Sequence, residues 1–459
     1  MKSIITIFCL FVFVGFTANA QFAGGAGTET DPYQITNRSQ LEAIKDNLDK
    51  RFLLIADIDL SDANWTPIAG HFAGKLNGAG HKIKNITINV TTNAGLFITL
   101  GPGAVVENLI IEGGSITGGQ AVGSIAGTVD LNLESASGGS VEIRNCGNSA
   151  SITGTTAGTA YPSGAGGIVG DLRISNSSLT IASCFNKGNV TAAAAGTAGI
   201  LGGHSGIGNG TATVLLITDC YSNAAITSTA ATSYAAGIGG YLYQSSATGS
   251  YTIQNCYAEG SVTGNSTAGG ILGRVPNTDG TIIKNNIALQ SSLSGDASHA
   301  HPILGYDAET CTTANNYYSS TLTGESAGYN SDGKPRQQGT ASATVEEAKT
   351  AAFYAASLPT WDFTNTWKIN EGTLYPTLKW EPESSTAIKS VSGTVLKSFV
   401  FEGVLKVAGL LAGEQLNVYD IQGKTVYSKK VKSTEQNVSL PARGIYIVVA
   451  GEKNVKVIY

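Results

Sequence analysis

Charge is what this sequence has least of. Asp, Glu, Lys and Arg make up 13% of its 459 residues, and the formal net charge is −5. A nucleic-acid-binding protein presents a basic face, and a polybasic membrane patch needs clustered Lys and Arg, so neither partner is expected. Sparse charge is not disorder here, because 42% of the residues are apolar and β-branched types abound. Long apolar runs are also missing after the first twenty residues, which leaves no expected membrane span. That opening run, "MKSIITIFCLFVFVGFTANAQ", is itself too short for a bilayer. Its early lysine and the small-x-small pattern Ala18-Asn19-Ala20 predict a secretory signal peptide over residues 1–20, with the mature chain starting at Gln21. Cys9 follows the bulky Phe8, where a lipoprotein signal needs a small residue. An even cysteine count is lacking too. Export permits disulfides, but the mature chain keeps five cysteines (146, 184, 220, 256 and 311), so at least one has no partner within the chain.

What is present is repetition. "EIRNCGNSASITG", "TIASCFNKGNVTA", "LITDCYSNAAITS" and "TIQNCYAEGSVTG" place Cys146, Cys184, Cys220 and Cys256 at steps of 38, 36 and 36 residues. A second phrase alternates with them: "GIVG" at 167–170, "GILG" at 199–202, "GIGG" at 237–240 and "GILG" at 270–273, with degenerate copies ending at Gly127 and Gly305. Each unit reads as three short strands without a helix signal. A period of this length means a solenoid, propeller or array. A propeller blade would need four antiparallel strands with tight hairpins, and those signals are missing. The expected fold class is therefore all-β: a right-handed parallel β-helix (solenoid) with capping elements, followed by a small C-terminal β-sandwich. Ile86, Leu109, the four cysteines, Asn286 and Asn316 are expected to stack as one column, with the cysteines as buried free thiols. In-register side chains point the same way, which disfavours a disulfide, and the spacing lacks the close ligand pairs of a zinc site.

The ends differ from the middle. Ser39 and Glu42 form a capping box that predicts a helix over about 40–48 covering the first coil. Another helix is expected over 346–356, and Trp361, Phe363, Trp367 and Trp380 are expected to close the last coil. The organisation is thus a signal peptide 1–20, a capped β-helix 21–318, a closing segment 319–383, a linker 384–390 and a β-sandwich 391–459. In the last, period-2 strands flank turn signals at Gln422-Gly423 and Gly451-Glu452.

Two resemblances add to this reading. The "GIVG" and "GILG" phrases, the "DPYQI…LEAI" opening, "LNGAGHKIKNI" and "WDFTNTWKINEGTLYPTLKW" resemble GLUG-repeat proteins of Gram-negative bacteria. That implies a β-helix displayed on the cell surface or released, with adhesion or glycan binding suspected. "LNVYDIQGKTV", "LPARGIYIV" and the terminal "KVIY" resemble the C-terminal sorting domain of type IX secretion. That implies recognition by the type IX machinery at the outer membrane, with Ala442-Arg443 a small departure. GLUG repeats also accompany a metallopeptidase, which needs His-Glu-x-x-His. None of the five histidines here precedes a Glu.

A catalytic β-helix would need acids gathered on one outer face. Residues 121–300 hold eight acids and five bases at scattered repeat positions. Asp57 and Asp59 are the nearest to a pair, and they equally suit a capped edge. His299 and His301 could share a strand face but lack a third metal ligand. No catalytic residue, metal or cofactor is expected. The expected role is a secreted or cell-surface-displayed, non-catalytic binding scaffold, with a glycan or host surface protein as partner. The alternative is a β-helix carbohydrate-active enzyme, and a purely structural surface-layer component is a third reading. The candidate ligand-binding residues are Tyr241, Tyr243 and Tyr251 in the loops after the glycine phrases, with Tyr234 and Tyr161 in the other loop set. Insertions in a solenoid line up along one side, and tyrosine offers a flat ring with a polar tip. Tyrosines that merely seal a loop would read the same way.

Overall fold

The computed structural model describes residues 21–131, 138–158, 163–205, 213–243, 249–275, 280–296, 299–307, 311–322, 341–382, 396–401, 404–411, 413–442, 444–451 and 453–458. The expected signal peptide, Tyr161 and the linker lie outside these residues. Two compact units divide the chain, one running to Glu381 and the other from Pro382 to Tyr459. Among the described residues no helix is long and apolar enough to cross a membrane.

The first unit is a parallel β-helix. One coil shows the design: strands Ser178–Ala182, Phe185–Asn186, Val190–Ala194, Gly196–Ala198 and Leu201–Ser205. Each pairs in parallel with its equivalents in the neighbouring coils, giving a 23-stranded, an eight-stranded and a six-stranded sheet. The expected third strand of each repeat is thus refined. The glycine phrase is the corner between the six-stranded and eight-stranded sheets rather than a strand of its own. Its isoleucines form an inner ladder, in which the N–H of Ile168, Ile200, Ile238 and Ile271 each donates to the next copy's carbonyl at 3.1 Å. Its first glycine is obligatory for a local reason. A Cβ on Gly199 would lie 2.1 Å from the Gly237 carbonyl oxygen, and one on Gly237 would lie 2.2 Å from that of Gly270.

A second corner precedes each cysteine. Asn108, Asn145, Ser183, Asp219, Asn255, Asn285 and Asn315 all take φ between 51° and 57°. Short polar side chains are the non-glycine residues that best tolerate this left-handed region. Cys146 lies opposite Leu109 in register, and the column continues through hydrogen bonds. The Cys184 N–H donates to Cys220 Sγ and the Cys220 N–H to Cys256 Sγ, both at 3.4 Å. The Cys256 N–H then donates to Asn286 Oδ1 at 2.9 Å, and the Asn286 N–H to Asn316 Oδ1 at 3.1 Å. One side-chain acceptor per coil satisfies a buried amide, which is why Asn can replace Cys here. Cys146, Cys184, Cys220, Cys256 and Cys311 are buried thiols, none of them in a disulfide. Ile86 is a correction to the expected column. It pairs with Gly114, not Leu109. Asn77 lies opposite Glu107 and Lys82 opposite Ile110, so Leu109 faces the turn between those strands and Ile86 sits at a later place in the coil.

Both helices are shorter than expected. The first is Arg38–Glu42, capped by Asn37, whose side chain accepts from the Gln40 N–H, and a 3-10 turn Ala43–Asp46 follows. The box partner is Gln40, whose Oε1 accepts from the Thr36 N–H at 2.8 Å, so the cap sits two residues before Ser39. The second breaks at Thr350 into a 3-10 turn Glu347–Lys349 and a helix Ala351–Ser357.

The second unit holds a three-stranded antiparallel sheet (Lys397–Phe401, Val404–Ala408, Glu435–Ser439) and a four-stranded one (Gln415–Asp420, Thr425–Lys430, Ile445–Ala450, Lys453–Ile458). Leu405, Val407 and Val438 from the first share one core with Leu416, Val418 and Val448 from the second. The turn glycines Gly423 and Gly451 have φ of 80° and 59°, as a tight hairpin requires. The Tyr446 hydroxyl donates to the Ala442 carbonyl at 2.7 Å and pins the chain before the Ile445–Ala450 strand.

Candidate functional site

Two aromatic columns run along the β-helix, and they have opposite fates. The first occupies the position after each cysteine: Gly147, Phe185, Tyr221, Tyr257, Ile287 and Tyr317 are in register across successive coils. Tyr221 and Tyr257 stack with centroids 4.9 Å apart and planes within 2°. Residues 341–381 cover this column. Their indoles read the left-handed corner: Trp380 Nε1 donates to the Ser183 carbonyl at 2.9 Å, Trp367 Nε1 to Asp219 Oδ1 at 3.2 Å and Trp361 Nε1 to the Asn285 carbonyl at 2.9 Å. The closing segment therefore runs back along the flank across several coils, where only the last coil was expected to receive it. A column of flat rings one strand spacing apart offers it a far larger apolar surface than one coil end.

Acids lie along the seam between this strap and the coils, Asp219 and Glu259 half-buried and Glu381 buried. Glu381 is 8% exposed, accepts from the Tyr221 hydroxyl at 2.6 Å and pairs with Lys187. Burial raises the Asp219 carboxyl above its ordinary value despite hydrogen bonds from Thr218 and Trp367. Burial likewise raises Glu259, with Lys349 opposing.

The second column occupies the position after each glycine phrase. Asp171 and Gly203 fall there on successive strands, then Tyr241, Arg274 and Tyr306, with Gly203, Tyr241, Arg274 and Tyr306 in register on the eight-stranded sheet. Tyr234, from the six-stranded sheet, stacks on Tyr241 at 4.6 Å and 24°. The Arg274 guanidinium lies 4.8 Å from the Tyr234 ring centroid, 4.9 Å from that of Tyr306 and 5.7 Å from that of Tyr241. It also donates to the Tyr234 hydroxyl. Its Nε is buried without a hydrogen-bond partner, and no acid forms an ion pair with it among the described residues. His299 packs beside Tyr306 at 5.1 Å. Burial chiefly, with His301 and Arg274, holds its imidazole below the ordinary value against the pull of Asp296. Tyr241, Arg274 and Tyr306 are all partly exposed.

Of the expected binding residues, Tyr234 and Tyr241 come together here, but Tyr234 is a correction as a ligand contact: it is 7% exposed and packed beneath Tyr241 and Arg274. Tyr243 ends the strand Gly239–Tyr243, opposite Ser205. Tyr251 requires correction: it is 1% exposed and part of the interior core, because alternation along Ser250–Gln254 turns it inward between Leu215 and Thr281. Arg274 and Tyr306 went unnoticed in the sequence, although aligning the residue after each glycine phrase brings them beside Tyr241. His301 is fully buried, so it shares no open face with half-buried His299. Asp57 pairs with Lys84 at 2.7 Å and with His81 at 3.3 Å, and Asp59 accepts from Asn85 at 3.0 Å. Both carboxyls sit below their ordinary values. For Asp57 the hydrogen bonds from Lys84, Lys82 and His81 outweigh its burial, and for Asp59 the Asn85 and Ser61 hydrogen bonds dominate. Among the described residues no group of three His, Cys, Asp or Glu could hold a metal ion.

No family model matches the chain. It is 36% identical over 127 residues to a protein named "Halomucin" from Haloquadratum walsbyi, which covers 23% of this chain and 1% of that protein. It is 35% identical over 127 residues to a "Putative Gly-rich membrane protein" from Evansella cellulosilytica, covering 25% of this chain and 15% of that protein. The chain thus spans a small part of both relatives. Among solved structures, it resembles one titled as a putative immunoglobulin A1 protease from Bacteroides ovatus, with a TM-score of 0.52, 23% identity, and 79% of this chain and 97% of that one covered. That likeness shows a shared fold.

Proposed function

We propose that the chain is a secreted or surface-displayed, non-catalytic scaffold that binds a glycan or host surface protein along the Tyr241–Arg274–Tyr306 column. The observation that carries this reading is the contrast between the columns. The aromatics after the cysteines are covered by the chain's own strap, while those after the glycine phrases stay partly open around a guanidinium that has no ion pair among the described residues. Surface association is in keeping with partial relatives named as a halomucin and a membrane protein. The type IX resemblance of the C-terminal unit supplies an export route through that machinery. A carbohydrate-active enzyme gains less support. Asp57 and Asp59, the nearest to an acid pair, are spent on Lys84, His81 and Asn85 within the first coils, where a glycosidase needs two carboxyls facing one substrate.

The test is a glycan and host-protein array probed with the mature chain and with Tyr241→Ala. Binding that Tyr241→Ala abolishes is the expected outcome. An array without any ligand removes the scaffold reading, and product release from a polysaccharide substrate replaces it with the enzyme.

A further inference from the structure

We infer that the Arg274 cluster binds a carboxylate carried on an acidic polysaccharide, an assignment that rests on the scaffold reading and narrows its ligand. A partly desolvated guanidinium ordinarily sits beside an acid. Here three tyrosine rings hold it instead, and its buried Nε donates to nothing. The rings stabilise the cation through their negative faces without neutralising it. The buried Nε is closed to a ligand and Nη1 already donates to the Tyr234 hydroxyl, so the donors left for an incoming anion are the remaining N–H groups of Nη1 and Nη2, and a carboxylate matches that end of the planar fork in two parallel hydrogen bonds.

The tyrosines favour the same ligand chemistry. Their faces are engaged with one another and with the guanidinium. What a ligand meets is ring edge, the electropositive part of the quadrupole. That suits an anionic, hydroxyl-rich molecule better than the apolar face of a neutral sugar. A nucleic acid is disfavoured because a single cation, followed along the column by Gly203 and Asp171, is not a phosphate-tracking stripe. A protein partner would anchor on apolar side chains in a desolvated centre. The exposed large apolar side chains of the first unit, Ile55, Val214 and Leu374, are not in this column.

Affinity electrophoresis of the mature chain through gels containing polygalacturonate, dextran sulfate, neutral dextran or poly-glutamate tests the assignment. Polygalacturonate is expected to retard the wild type and neutral dextran to leave it unshifted. Arg274→Ala should weaken retardation roughly tenfold or more, the loss of a charge-assisted hydrogen bond pair. Arg274→Lys, which keeps the charge without the fork, should fall between, and Lys284→Ala should match wild type. Unchanged thermal melting of Arg274→Lys separates lost recognition from lost fold. Equal retardation of wild type and Arg274→Ala overturns the inference, as does no retardation by polygalacturonate. Stronger retardation by dextran sulfate or poly-glutamate also overturns it, assigning a sulfate group or an acidic protein instead. An array ligand that is lost with Tyr241→Ala but kept with Arg274→Ala leaves the scaffold reading standing and sinks this one. An array with no ligand sinks the scaffold reading itself.

Discussion

The aromatic column behind the cysteines and the one behind the glycine phrases are built by the same rule, yet one is core and the other is surface. Both arise because a parallel coil sets equivalent residues above one another at about 4.8 Å. Side chains at one repeat position therefore lie over one another whether or not anything covers them, ring on ring behind the cysteines and ring, guanidinium, ring behind the glycine phrases. The difference comes from elsewhere in the chain. Trp361, Trp367 and Trp380 lie on the Phe185–Tyr221–Tyr257 column and satisfy their N–H groups on its corner. Over Tyr241 and Tyr306 the described residues place a guanidinium. Stacking alone is thus no evidence of a binding platform. A partly exposed stack with an unspent polar group is.

Stability measurements can break this comparison. The largest effect is expected from Trp367→Ala. Trp367, a strap residue, is fully buried against the Tyr221–Tyr257 column, and losing it should cost about 3–5 kcal/mol, read as a lowered midpoint in denaturant unfolding. Tyr241→Ala, from the open column, should cost clearly less, and equal losses would erase the distinction drawn here. A smaller effect is expected from Tyr221→Phe. It removes one donor from buried Glu381 and should destabilise by about 1.5–3 kcal/mol. The smallest effect is a pH dependence of opposite sign in two places. Asp219 and Glu259 have raised carboxyls, so each binds its proton more tightly folded than unfolded. Their contribution to strap attachment is fully present below the ordinary carboxylate range and is lost as pH rises through the raised values. Asp57 and Asp59 are lowered. Their contribution to the N-terminal coils is present at neutral pH and is lost as pH falls through the lowered values. Hydrogen exchange at mildly acidic and neutral pH should show the strap better protected in acid. A strap equally protected at both would contradict the burial assigned to these acids.

Much of the architecture was legible as repetition. Cysteine at a fixed place, Gly-Ile-x-Gly at another and the final drift to asparagine were enough to predict a coil and the column from Leu109 to Asn316. Ile86 failed because "IKNI" copies the look of "VENL" at a later place in the coil, opposite Gly114, and the local pattern does not tell the two places apart. The site was half legible. Tyr234 and Tyr241 stood out as aromatics in variable segments, but so did Tyr251, and strand alternation alone turns that ring inward. Arg274 looked like an ordinary loop cation, since nothing local announces that three rings from three other strands surround it.

The sequence by itself therefore determined the repeat, the coil and which residues share a column, because these follow from short-range spacing copied from one coil to the next. Only the tertiary structure decided which column is hidden. The strap that hides it lies some 160 residues beyond Tyr221, at Glu381, and its docking depends on surface shape and on partners for its indole N–H groups, which no local pattern encodes.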